Sequence, residues 1–164
     1  MWDELDSAEA VNRLMASFGG FHDGCLREIS VATETYVGEG LAMHCPSSLD
    51  TSALLLFQRS GGPVAAVEIQ CREVMGFHLK PSAEGCDSII MGGAIGLSRG
   101  AVRLAINFIG GPLTATDNSR VFIPARSLEQ PDLEVTAGSM AWRPLENSLG
   151  NQLRYRPQQK RVGA

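Results

Sequence analysis

The chain has 164 residues, 44% hydrophobic and 20% charged, with four cysteines and a net charge of −4. That length suits one domain with its own core, and the balance of apolar and charged residues excludes a disordered or fibrous chain. No run approaches the roughly 20 apolar residues of a membrane helix, and the acidic start, Met1 to Asp6, is the reverse of a secretory signal, so a cytoplasmic protein without a membrane partner is expected.

Ala8, Val11, Leu14, Met15 and Phe18 recur at helical spacing, which predicts an amphipathic helix over 6–18, opened by a capping box of Asp6 and Glu9 and stopped by Gly19-Gly20. After Gly24 the period changes to two. Ile29, Val31, Thr33 and Thr35 share one face and Glu28, Ser30 and Glu34 the other, the pattern of a half-buried strand. Gly38-Glu39-Gly40 is a turn signal, after which Leu41 to Cys45 returns as a short antiparallel partner.

Thr51 to Arg59 carries the run Ala53 to Phe57 and reads as a central strand buried on both faces. Arg59, at its end, is expected to pair with Glu68 across the turn at Gly61-Gly62-Pro63. Val64 to Cys71 and Val74 to Leu79 alternate with shifted parity, which places a bulge near Arg72-Glu73. Asp87 to Leu97 and Ala101 to Phe108 flank Ser98-Arg99-Gly100 as a hairpin. Gly110 to Ser119 reads as loop, Arg120 to Arg126 as a short strand and Leu133 to Trp142 as the last strand.

Strands follow strands without intervening helices. The expected fold is therefore mainly β (α+β): an antiparallel sheet, sandwich or partly closed barrel with one N-terminal amphipathic helix packed on it. Residues 1–145 form the single globular domain, and 146–164, where hydrophobic periodicity vanishes, a flexible basic tail. Without 151–164 the chain keeps 10 basic residues against 18 acidic ones, a net charge of −8. An acidic body argues against a nucleic-acid partner and fits a basic protein partner.

The leading candidate for chemistry is His22-Asp23, because a carboxylate beside an imidazole fixes its tautomer and raises its basicity. With Cys25 three residues on, it is the nucleus of a small hydrolase-like or metal-dependent enzyme. The plainer reading buries His22 under the strand edge, donating to a backbone carbonyl while Asp23 caps the turn, since adjacent residues rarely point at each other. A metal set of His22, His44, Cys45 and His78 has suitable residue types but no ligand spacing, so neither metal nor cofactor is expected. The cysteines form no C-x-x-C pair and read as reduced thiols. Gly92, Gly93 and Gly96 lack the lysine of a phosphate loop and read as sheet bending, and Trp2 and Trp142 as core anchors. The balance favours a protein without catalytic residues.

Trp2, Phe18-Gly19 and Phe21-His22-Asp23, followed by the strand with Ile29 and Val31, resemble the N-terminal signature of a bacterial polymorphic-toxin immunity family with a Phe-His-Asp motif. Leu55 to Arg59, Pro63, Glu68-Ile69, Leu79, Pro81 and Ala141-Trp142-Arg143 are more similar to that family's uncharacterised relatives. The resemblance covers residues Trp2 to Arg143. It implies a non-catalytic protein that binds and blocks a cognate toxin, with Phe21, His22 and Asp23 as a hallmark to which no role is attached.

Overall fold

The computed structural model describes residues 1–81, 88–108, 131–146 and 148–155. The loop and strand expected over 110–126 lie outside them. Within them are one α-helix, α1 (Ala8–Ser17), and nine strands: β1 (Asp3–Glu4), β2 (Gly24–Thr33), β3 (Tyr36–Val37), β4 (Met43–His44), β5 (Thr51–Arg59), β6 (Ala66–Leu79), β7 (Ile90–Ser98), β8 (Ala101–Phe108) and β9 (Leu133–Pro144).

Helix α1 presents Ala10, Val11 and Leu14 to the core. Its N-cap is Ser7, whose hydroxyl accepts from the Ala10 amide at 3.2 Å, one residue later than the Asp6 box expected from sequence. A hydroxyl at this position satisfies one of the orphan amides of the first turn.

The fold is mainly antiparallel β, as the alternating segments predict. Seven strands pair in the order β1-β9-β6-β5-β2-β7-β8, and β8 also pairs with β9. The sheet is thus partly ring-like without being a barrel: β2 meets β7 only at Gly24 and Ile90, whereas β5 is paired with β2 on one side and β6 on the other. That central place explains the apolar run of β5, in which Ala53, Leu55, Leu56 and Phe57 are buried. The hairpin of β7 and β8 turns through Arg99-Gly100, with Gly100 at φ 77°. Strand β6 is continuous, and its bulge falls at Met75, between Val74 and Gly76, a little beyond the position read from parity.

One core joins Val11, Leu14 and Phe18 to Phe57, Ile69, Ile95, Leu104, Ile106 and Val135 of the sheet. Trp142 is buried, and Trp2 lies half-exposed with the Arg143 guanidinium 4.3 Å from its ring centre. Among the described residues, no helix is long and apolar enough to cross a membrane.

Two parts depart from the expected layout. The far end of β2 leaves the core, so that Val31, read as inward-facing, is exposed; beyond it β3 and β4 form a separate two-stranded arm. Residues 148–155, expected as part of a flexible tail, are instead hydrogen-bonded to β2, β5 and β6.

Candidate functional site

Three constellations bear on function, beginning with the corner between α1 and β2. Gly19, Gly20, Phe21 and Asp23 all lie in the left-handed region, at φ 61°, 63°, 68° and 59°. Glycine adopts this freely and aspartate tolerates it, but a phenylalanine there is strained and needs outside support. Support comes from ring packing. The Phe21 ring meets Phe18 and Phe57 edge-on at 5.3 and 5.1 Å. It also rests on Gly93, where a Cβ would come within 2.9 Å of the ring.

Arg59 holds the same corner from outside, donating its Nε to the His22 carbonyl at 3.1 Å. Its guanidinium covers Gly19, where a Cβ would lie 2.5 Å away. The Asp23 amide donates to the Ile90 carbonyl at 3.1 Å, and the Ser60 amide to the Asp23 carbonyl at 3.3 Å. Arg59 is therefore committed to this corner and not to Glu68, contrary to the sequence expectation.

His22 and Asp23 do face each other, with Nδ1 and Oδ2 3.0 Å apart. The reason is the backbone: His22 is extended and Asp23 left-handed, which swings two neighbouring side chains to one side. Neither is buried, their side chains being 54% and 59% exposed, so His22 does not pack under the strand edge. Cys25 is half-buried within β2 opposite Gln58 and takes no part in that contact. His44 stacks on Tyr36 in the arm, Cys45 is exposed beside it, and His78 sits near the end of β6 opposite Glu134. Among the described residues, no three His, Cys, Asp or Glu side chains gather to hold a metal ion.

The second constellation surrounds Glu68, a carboxylate only 2% exposed. Cross-strand register places Arg143 opposite it, and the Arg143 Nε donates to Oε2 at 2.7 Å. Tyr155 donates its hydroxyl to Oε1 at 2.7 Å, and the Arg154 Nε lies 3.3 Å from the same oxygen. Glu28 accepts the backbone amides of Arg154 and Tyr155 at 2.6 and 2.8 Å, while Gln58 donates to the carbonyls of Ser148 and Gly150. Burial, the Glu68 hydrogen bond and the Glu68 charge together push the Tyr155 phenol well above its ordinary pKa of 10.0. This is a strap tied down by polar contacts across the sheet.

The third constellation is the arm of β3 and β4. Tyr36 pairs with His44 and Val37 with Met43, and the turn between them closes through the Gly38 amide on the Ala42 carbonyl at 2.9 Å. Its base is fixed by Asp50, which accepts from the Thr35 hydroxyl at 2.5 Å while the Glu34 amide donates to the Asp50 carbonyl at 3.1 Å. Yet the arm keeps its apolar side chains outside. Val31, Tyr36, Val37, Leu41, Met43 and Leu49 are 52% to 86% exposed. A groove of about 420 Å³ runs beside it, lined by Glu34, Tyr36, Met43, His44, Cys45 and Pro46.

Sequence patterning places the hairpin around Gly38-Glu39-Gly40 but not its exposure, because Val31 reads as an ordinary residue of a half-buried strand. One signal was present: no Lys or Arg occurs between Arg27 and Arg59, whereas Glu34, Glu39 and Asp50 all fall within residues 31–50. No protein-family model, curated protein or solved structure matches the chain.

Proposed function

We propose that the protein is a non-catalytic binding module, immunity-like in its action, whose arm docks on and neutralises a basic protein partner such as a toxin. The observation that carries this reading is the arm: Tyr36, Val37, Leu41 and Met43 stand in solvent on one short excursion from the sheet, with Val31 and Leu49 exposed at its base. Large apolar side chains gathered in solvent on so short a segment mark an interaction site, and removing them from water on docking is the main source of affinity. The carboxylates of Glu34, Glu39 and Asp50 favour a partner of opposite charge and speed its approach.

A second reading, a hydrolase-like enzyme on His22, Asp23 and Cys25, draws on the 3.0 Å His22–Asp23 pair. Against it, the pair stands in solvent on a corner whose own bonds serve the fold, and Cys25 lies apart from it.

The test replaces Leu41, the most exposed apolar residue of the arm, with a photo-crosslinking phenylalanine analogue in cells that encode the protein. The expected result is one discrete adduct with a basic protein. Absence of any adduct from Leu41 and Val37, together with hydrolytic turnover that His22→Ala abolishes, overturns the binding reading in favour of the enzyme.

A further inference from the structure

We infer that the groove beside the arm is a receptor for a single lysine or arginine side chain of the basic partner, with Glu34 as its counter-ion and the Tyr36 ring as its wall. This deepens the proposed binding role and rests on it. The groove combines one carboxylate, two stacked rings and a methionine: Tyr36 and His44 lie 4.6 Å apart and 10° from parallel, and Met43, Cys45 and Pro46 complete the lining. An aliphatic stem ending in a cation fits this chemistry, because the stem covers apolar lining while the head meets both a carboxylate and an aromatic face. An acidic ligand would meet Glu34 with no Lys or Arg among the lining residues to compensate.

The groove is also built rather than incidental. Stacking on His44 orients the Tyr36 ring, and the β3–β4 pairing fixes both residues opposite each other. The Glu34 backbone is tied to Asp50, so its carboxylate projects from a restrained position. A second copy of the chain is disfavoured as occupant, since a symmetric contact of two arms would bring Glu34, Glu39 and Asp50 of each against the other without a Lys or Arg in residues 31–50.

The test is an NMR titration of the full-length, isotope-labelled protein with N-acetyl-arginine amide and, as control, N-acetyl-citrulline amide, which keeps the shape without the charge. Saturable shifts are expected at Glu34, Tyr36, Met43 and His44 with arginine, and binding about fivefold to tenfold weaker with citrulline, the size of one exposed cation–π contact plus one exposed ion pair. Glu34→Gln and Tyr36→Ala should each reduce arginine binding towards the citrulline level, with folding checked by the unchanged spectrum of the core strands. Equal binding of the two probes, or shifts centred on other carboxylates, overturns the groove assignment. If the arm still crosslinks to a partner in that case, the binding role stands and only the groove falls; if the probe binds but no adduct forms, the partner falls and the groove's role in holding it falls with it. Sedimentation as a dimer that Leu41→Asp dissociates would assign the arm to a second copy and overturn the inference as well.

Discussion

Replacing Glu68 with glutamine keeps the shape of the side chain while removing the charge that anchors Arg143, Arg154 and Tyr155. Removing one partner of a fully buried pair costs ~3–5 kcal/mol and of an exposed pair ~0–1. Arg143 and Arg154 are 32% and 41% exposed, and the amide oxygen of glutamine still accepts from Tyr155, so the loss should be about 2 kcal/mol. For a domain of this size that is roughly 4–8 °C in Tm. Urea unfolding should show a lower midpoint with an unchanged slope, because the area exposed on unfolding stays the same. Trypsin should also cut faster after Arg154, since the strap has lost its anchor. The Tyr155 phenol should ionise at lower pH than in the parent, though still above its ordinary value, because burial remains the largest cause of its shift. A stability within about 0.5 kcal/mol of the parent, the range of an ordinary surface substitution, with unchanged cleavage at Arg154 would refute the strap.

Gly93→Ala places a methyl 2.5 Å from the Ile106 Cδ1 and 2.9 Å from the Phe21 ring, so overpacking should lower stability by about 1–3 kcal/mol in chemical denaturation; no change would show that Phe21 is free to move. His22→Ala removes only the exposed contact with Asp23 and should cost less than about 1 kcal/mol in the same assay, whereas a larger loss would reveal a buried role. Burial pushes the Cys71 thiol from 9.0 to about 12, so the stability contributed by the neutral thiol persists below pH 9.0 and is lost as pH rises towards 12. In the folded protein iodoacetamide should label exposed Cys45 and spare Cys71 until unfolding; equal rates would contradict its burial. The Arg103 hydrogen bond lowers the Glu134 carboxyl below its ordinary 4.5, so that its contribution is present above about pH 4.5 and lost as pH falls further. Acid titration of Glu134→Gln should therefore show a shallower decline than the parent, and parallel curves would refute the coupling.

Much of the sheet was legible because its signals are local. The run Ala53 to Phe57 marked β5 from Thr51 to Arg59, and Arg99-Gly100 marked the turn into β8 at Ala101. What escaped depends on which distant groups meet. Arg59 and Glu68 looked like partners across a turn, yet Arg59 reaches back to the His22 carbonyl while register on β9 gives Glu68 to Arg143. The strap escaped because its contacts are polar, backbone amides on Glu28, Gln58 on backbone carbonyls, and Arg154 and Tyr155 on Glu68, which leave no apolar period in the sequence. The hairpin of the arm was legible from Gly38-Glu39-Gly40 and the return strand, but its exposure was not, since Val31, Tyr36 and Val37 carry strand chemistry without being covered. Phe21-His22-Asp23 was visible as a motif, but its geometry rests on left-handed backbone that residue type disfavours at Phe21 and that the rings of Phe18 and Phe57 sustain.

The central claim is that the arm is the working surface and the His22–Asp23 corner is scaffold. It is tested most directly by measuring the yield of the Leu41 photo-adduct in cells for the parent, for His22→Ala with Asp23→Asn, and for Met43→Asp. The parent yield is expected in the corner variant and its loss in the arm variant. Loss of the adduct in the corner variant at undiminished stability, with Met43→Asp unaffected, would contradict it.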